Sequence, residues 1–377
     1  MSSITIREVT TRQGLRAFVR FPWQVYKGDP NWVPPLISAQ INYLTPATNP
    51  FFQHAEAVLY VARRAGEIVG TIAPYVNQLD LRHDPNVGGF GFFEALDDYP
   101  AIEALMDTAC AWVKQRGMAF IRGPYSFSRN DRPGVLLEGR DCPPVVLAGH
   151  TPPYYKDLLE RYGMEKHSDS YAWRAVRAQI GEDLQNVPAE ILRVGEAARK
   201  ASGAIIRKLR LHRWDEDVAT AGYLYNATLS QYRDFMPMTE EQFRGFASQF
   251  RPLIDPDLTL FAEVDGQPIG FAVALPDPNR ILIHLNGRRF PWGWAKMWWY
   301  SKRIDVVTYK LMGVLPEYRR RGIDALLYLD MMRAVFEKGY KWLDGSLTAE
   351  QNLLVNLLAG RLGAERYKHY RVYQKAL

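Results

Sequence analysis

The stretch Lys310-Leu311-Met312-Gly313-Val314-Leu315-Pro316-Glu317-Tyr318-Arg319-Arg320-Arg321-Gly322-Ile323-Asp324-Ala325-Leu326-Leu327 reads as an apolar strand, a basic turn holding a glycine, and the first turns of an apolar helix. A helix start presents unpaired backbone N–H groups and the positive end of its dipole, and three arginines beside it suit a bound pyrophosphate. Gly322 lets the backbone approach such a group where a Cβ would obstruct it. A basic helix start facing only water would use the same residue types, so the meaning of the motif depends on what surrounds it.

The surroundings are unusual in charge. The chain has 377 residues, 47 Lys+Arg and 41 Asp+Glu, for a formal net charge of +6. Ten basic and only two acidic residues fall between Arg280 and Arg321, so the excess is local, and the rest of the chain is slightly acidic. The same stretch holds Trp292, Trp294, Trp298 and Trp299, four of the ten tryptophans. A chain that is 47% apolar and 23% charged is globular rather than disordered, and its length fits two domains or one large one. No apolar run approaches the roughly 18 residues that span a bilayer, and Met1 to Arg7 lacks the apolar core of a signal peptide, so a cytoplasmic protein is expected. Cys110 and Cys142 are too few for a disulfide framework or a Cys-rich metal site, and no metal is expected.

Outward from the motif, the chain repeats itself. Tyr60-Val61-Ala62-Arg63-Arg64-Ala65-Gly66-Glu67-Ile68-Val69-Gly70 stands beside Leu260-Phe261-Ala262-Glu263-Val264-Asp265-Gly266-Gln267-Pro268-Ile269-Gly270, two alternating strands around a glycine turn in each case. Arg161-Tyr162-Gly163 matches Arg361-Leu362-Gly363, and Arg116-Gly117-Met118-Ala119-Phe120 matches Lys338-Gly339-Tyr340-Lys341-Trp342. Three matches in the same order predict two copies of one α/β unit, 1–178 and 203–377, joined by a charged linker helix within 179–202. The first unit's copy of the motif is spoiled: Asp97-Asp98-Tyr99-Pro100 stands where Arg319-Arg320-Arg321-Gly322 does, and two carboxylates repel a pyrophosphate while proline removes a donor.

With both the motif and the repeat in view, Val314-x-Pro316-x-Tyr318-Arg319-Arg320-Arg321-Gly322-Ile323 resembles motif A of the GNAT superfamily, the Gcn5-related acyl-CoA N-acyltransferases. The resemblance implies a tandem GNAT fold, mixed α/β, with the first unit degenerate and acyl-CoA as the donor. It implies a CoA site formed by Met312, Val314, Arg319, Arg320, Arg321, Gly322, Ile323, Asp324 and Ala325, with Asn352 opening the last helix. Two residues depart from the family pattern. Asp324 stands where the motif has Gly or Ala, and Ala359 stands where many members carry the tyrosine that protonates the CoA thiolate. Asp29-Pro30-Asn31-Trp32-Val33-Pro34-Pro35, Asn49-Pro50-Phe51-Phe52-x-His54-Ala55-Glu56, Gly123-Pro124-x-Ser126-x-Ser128-x-Asn130-Asp131 and Asn286-Gly287-Arg288-Arg289-Phe290-Pro291 together look like a two-unit bacterial group that includes the bacterial ceramide synthases, which transfer a long acyl chain from acyl-CoA to a sphingoid-type amine.

An amine acceptor with a pKa near ~10 is mostly protonated at neutral pH, so the reaction needs a base. Asp344 and Glu350, on or beside the strand expected to face the thioester, are candidates, as is the pair His54 and Glu56 on one face of a strand start. Ser128, Asn130 and Asp131 belong to an insertion dense in short polar side chains, a candidate substrate loop or an ordinary turn. Trp294, Met297 and Trp298 share a helical face, and with the nearby Lys and Arg they suit peripheral association with an anionic membrane and contact with a lipid acceptor. A packed core or dimer helix would use the same residues; nucleic acid is not expected, because adjacent tryptophans serve packing better than stacking along a strand. Two alternatives to long-chain transfer stay open: acetylation of a small soluble amine, and a non-catalytic, membrane-associated acyl-CoA-binding protein.

Overall fold

The computed structural model describes residues 3–377 except 128, 130, 182, 231–234 and 236. The chain divides into two compact units, one formed by Met1–Ser170, Ile281–Tyr300 and Lys368–Leu377, the other by Tyr171–Arg280 and Ser301–Tyr367.

The second unit carries the opening motif. Its hairpin Thr259–Val264 and Gln267–Pro276 turns at Asp265 and Gly266, with φ of 50° and 75°. Consecutive left-handed residues give a turn whose twist matches that of the strands it joins. Ile205–Lys208 pairs with one edge of the hairpin, and Val306–Val314 pairs antiparallel with the other. Val306–Val314 then runs parallel to Trp342–Ala349, a connection that requires a crossover, and the helix Ile323–Glu337 supplies it. Phe261, Phe271, Leu327, Met331, Val335 and Phe336 close the core between sheet and helix. The helix Ala189–Ser202, read from sequence as a linker, is instead a packed layer of this unit: Ala198 is buried, and the missing side chain of Gly195 admits Leu329 at 2.6 Å from where a Cβ would stand.

The first unit repeats the pattern. Its hairpin Tyr60–Arg64 and Glu67–Asn77 turns at Ala65 and Gly66, with φ of 50° and 87°, and both hairpins carry a bulge at the same place, Ala62/Arg63 and Ala262/Glu263. Val87–Ala95, the helix Tyr99–Lys114 and Phe120–Tyr125 follow, and the end of the last strand closes this sheet through Tyr373 to Ala376 against Gly123 to Phe120. The Trp-rich segment groups here and not with the second unit, where its place in the sequence put it. Trp23 Nε1 donates to Asn286 Oδ1 at 2.6 Å, and Ile37 N–H donates to Gly287 O at 3.0 Å.

The two glycine classes differ in consequence. A Cβ on Gly91 would collide with the carbonyl of Tyr125 on the neighbouring strand, whereas one on Gly245, exposed in the helix Glu240–Phe250, meets nothing. Gly91→Ala is therefore expected to lower the unfolding free energy from urea titration by well over the ~1 kcal/mol of an average substitution. Gly245→Ala should instead raise it by about 0.5–1 kcal/mol, because alanine loses less backbone freedom on folding.

Candidate active site

Val306–Val314 and Trp342–Ala349 pair only from Val306↔Trp342 to Thr308↔Asp344, although both strands continue well beyond. The fork leaves peptide groups without a ladder partner on one edge. Leu315 N–H donates to Ile269 O at 2.8 Å. Alternation back along that antiparallel register turns Gly313 and Leu311 toward the hairpin, and Met312 and Val314 toward the open side. Met312 and Val314 thus carry N–H groups toward the open side of the fork. Gly313 is required for a different reason, since a Cβ there would collide with the hydroxyl of Thr228 on the helix Trp214–Leu229.

The basic turn does not act as its composition implied. Arg319 Nε donates to Val314 O at 3.1 Å and its Nη2 to Thr228 O at 2.9 Å, so this guanidinium braces the turn against the strand and helix behind it. Arg320, in the left-handed region at φ 60°, and Arg321, which lies over the Tyr318 ring at 5.1 Å, are exposed at the helix start. Gly322 caps the helix at φ 75°, and a Cβ there would press on Ala198 and Val194 at 3.0 and 3.1 Å. Its close approach within the structure is to the helix Ala189–Ser202. Ile323 and Ala325 are buried, and Asp324 is exposed in the first turn, where the dipole favours a carboxylate. Asn352 accepts from Val355 N at 3.4 Å and caps the helix Leu353–Arg361, with Ala359 on its buried face.

Asp344 lies fully buried at the crotch of the fork. Thr308 Oγ1 and Ser346 Oγ donate to its Oδ2 at 2.6 Å each, and Tyr367 Oη donates to Oδ1 at 2.7 Å. A carboxylate holding three hydroxyl donors has its lone pairs engaged, which makes it a fixed anchor rather than a free base. Glu350 lies half-buried in the turn after Trp342–Ala349, beside Gln351. The residue sequence reasoning missed is Lys310, on the forked strand with its side chain 12% exposed and Nζ 3.5 Å from Ser346 Oγ and 4.0 Å from Asp344. Its signal was a lone cation between Tyr309 and Leu311 in an otherwise apolar strand.

In the first unit, Val87–Ala95 and Phe120–Tyr125 stay paired from Val87↔Phe120 to Gly91↔Tyr125, so no fork opens. Asp98 pairs with Arg64 at 2.8 Å. His54 Nδ1 meets Asn77 Oδ1 at 3.0 Å, while Glu56, exposed, pairs with Arg116 at 2.9 Å, so the two do not form a couple. Ser128 and Asn130 lie outside the described residues. Asp131 is half-buried, its carboxyl raised by burial against the opposing charge of Arg132. Among the described residues no cluster of His, Cys, Asp and Glu could hold a metal, and no helix is long and apolar enough to cross a membrane.

Two helices carry apolar side chains into solvent. In Gly293–Ser301 only Gly293 is buried; Trp294, Trp298 and Trp299 are 65%, 59% and 49% exposed, and Phe290 and Trp292 precede them in the open. In Leu353–Arg361, Leu353, Leu354 and Leu357 are exposed.

Comparison with known proteins agrees with this architecture. Residues 223–354 match the Acetyltransferase (GNAT) family. The chain is 35% identical to Protein YghO of Escherichia coli over 99% of its length and 95% of that protein, and 34% identical to a bacterial ceramide synthase of Caulobacter vibrioides over 100% and 98%. Among solved structures, a tandem GNAT protein from the clavulanic acid biosynthesis pathway superposes with a TM-score of 0.58 at 12% identity, covering 99% of this chain and 98% of that one. The chain therefore belongs to the GNAT acyltransferase family, as a tandem member related along its full length to a bacterial ceramide synthase.

Proposed function

We propose that the second unit is an acyl-CoA-dependent N-acyltransferase that moves a long acyl chain onto a long-chain, sphingoid-type amine at a membrane surface. The observation that carries this reading is the fork between Val306–Val314 and Trp342–Ala349, with the N–H groups of Met312 and Val314 on its open side and the helix start of Ile323–Glu337 beyond it. When bound, acyl-CoA supplies an activated carbonyl and a thiol leaving group. The chain's own residues do the rest. Arg320, Arg321 and the first N–H groups of the helix hold the pyrophosphate, Arg319 keeps that turn in shape, and Met312 and Val314 N–H polarise the carbonyl.

The lipid part of the reading draws on the exposed aromatics. A helix presenting Trp294, Met297 and Trp298 beside Arg288, Arg289 and Lys296 combines interfacial rings with cations that anionic headgroups attract. The name of the Caulobacter vibrioides relative, a ceramide synthase, supports an amine of the same lipid class.

Arg320→Glu with Arg321→Glu is expected to weaken CoA binding at least tenfold by calorimetry without lowering the melting temperature. Arg319→Met should instead cost about 1–3 kcal/mol of stability, because it leaves the Val314 and Thr228 carbonyls without their donor. Unchanged CoA affinity in the double variant would remove the turn from the site.

For the acceptor, CoA release measured across acyl chains from two to sixteen or more carbons should favour the long ones with a long-chain amine. The protein should also sediment with phosphatidylglycerol vesicles, less so after Trp294→Ser with Trp298→Ser. Transfer confined to acetyl groups and soluble amines, with no sedimentation, would establish the small-amine alternative.

A further inference from the structure

We propose that Lys310 is the base of the reaction: its neutral ε-amine takes the proton from the acceptor amine at the mouth of the fork. The inference rests on the acyl-transfer reading above and adds the residue that moves the proton.

Three features of the backbone and its neighbours place it there. First, Tyr309 pairs with Ala274 and Leu311 pairs with Val273, so Lys310 is the extra residue of a bulge in Val306–Val314. A bulge re-aims one side chain and is over-represented next to active sites. Second, on the strand's other edge pairing ends at Thr308↔Asp344, two residues before Lys310. The side chain therefore stands where the sheet has just opened, and two residues before the Met312 peptide group that faces the thioester position. Third, the site suits an amine better than an ammonium. An ammonium has three protons to place. Lys310 Nζ has Ser346 Oγ at 3.5 Å and the Asp344 carboxylate at 4.0 Å, and that carboxylate already accepts from Thr308, Ser346 and Tyr367.

The charges that face the amine are Asp344 from Trp342–Ala349 and Asp277 from the segment after Gln267–Pro276, with the Tyr328 hydroxyl borne by the helix Ile323–Glu337 nearby. Burial pushes Lys310 below the usual lysine range, and Asp344 and Asp277 oppose it only in part. The native state then binds fewer protons here than the unfolded chain over the interval between the two lysine values, so this group's contribution to stability rises with pH across that interval. Removing the amine should not weaken the fold at neutral pH.

The protons balance. An acceptor arriving as an ammonium sheds two on its way to the amide. Lys310 takes the first, leaving a lone pair on the acceptor nitrogen; the carbon–nitrogen bond forms and the carbon–sulfur bond breaks. The second proton leaves that nitrogen with the sulfur, which departs as the neutral thiol, and Lys310 returns its own to water. No oxidant, metal or further reactant enters.

The test uses the full chain with Lys310→Met and Lys310→Arg. Turnover is read as CoA release, CoA affinity by calorimetry, and the protonation of Lys310 from 13Cε-lysine spectra, assigned by the resonance lost in Lys310→Arg. Both variants should lose at least about 100-fold in kcat, the lower end of what a positioned base contributes. CoA affinity should stay within threefold and the melting temperature of Lys310→Met should hold or rise. The assigned resonance should titrate below the other lysines, and the acid limb of the wild-type kcat profile should follow it.

Arginine is a permanent cation and cannot accept a proton, so a Lys310→Arg enzyme with more than a third of wild-type turnover would overturn the proposal. A resonance that titrates with the other lysines, or a Lys310→Met chain that unfolds in step with its lost activity, would do the same. A low-titrating Lys310 in a wild-type chain that releases no CoA with any amine would instead refute the acyl-transfer reading on which the proposal stands.

Discussion

The Asp344 carboxylate and the three hydroxyls that donate to it decide where the second unit's sheet comes apart. Two parallel strands tend to continue pairing, because each peptide group left without a partner is costly unless something replaces it. Here Thr308 and Ser346, one from each strand, meet on Oδ2, and Tyr367 takes Oδ1. The last paired residues are Thr308 and Asp344 themselves, so the polar knot sits at the crotch and the strands diverge beyond it. A buried carboxylate with fewer donors would be destabilising. With three it is satisfied, and it fixes the depth of the cleft on which the Met312 and Val314 peptide groups open.

The same fold without the knot behaves differently. In the first unit Gly88, Gly89 and Gly91 line the strand that corresponds to Val306–Val314, and Cβ atoms at these positions would strike Val113, Tyr75 and the Tyr125 backbone. Small residues let Phe120–Tyr125 approach closely and pair through Gly91. Of the two carboxylates that replace the basic turn, Asp98 pairs with Arg64; on the strand before that turn, Glu94 accepts from the hydroxyls of Tyr26 and Tyr155. Burial pushes Glu94 up to about 7, against those two donors and Arg132. The two copies of the unit thus differ in whether the equivalent pair of parallel strands forks.

Much of this was legible in the residues because it is local. The paired hairpins announce themselves through glycine turns, and even their shared bulge falls within the matched segments. The basic turn was recognisable for the same reason, yet its members were not separable: three consecutive arginines look alike in a sequence, and only the structure shows Arg319 turned inward to Val314 and Thr228. What packs on Gly322, the helix Ala189–Ser202, was not legible because it lies more than a hundred residues away in the chain and reads from sequence as a spacer. His54 and Glu56 share a sequence pattern but not a partner, since a 3-10 turn ends at His54 and breaks the alternation that would align them. Lys310 was hidden by the strand itself, because where pairing stops on one edge and bulges on the other is a property of neighbours distant in sequence.

The two features that most violate local rules sit apart in chemistry and make sense for one kind of reaction. Holding a lysine side chain only 12% exposed with little to satisfy its ammonium costs stability, and holding tryptophans and leucines in water forgoes burial worth about 25 cal/mol per Å². Proteins keep such violations chiefly where function needs them. A soluble amine would call for a base but for no exposed aromatic helix; a passive lipid-binding surface would call for the helix but for no lysine set at the mouth of a forked strand. A long-chain amine that must be drawn from a bilayer and deprotonated before it attacks requires both.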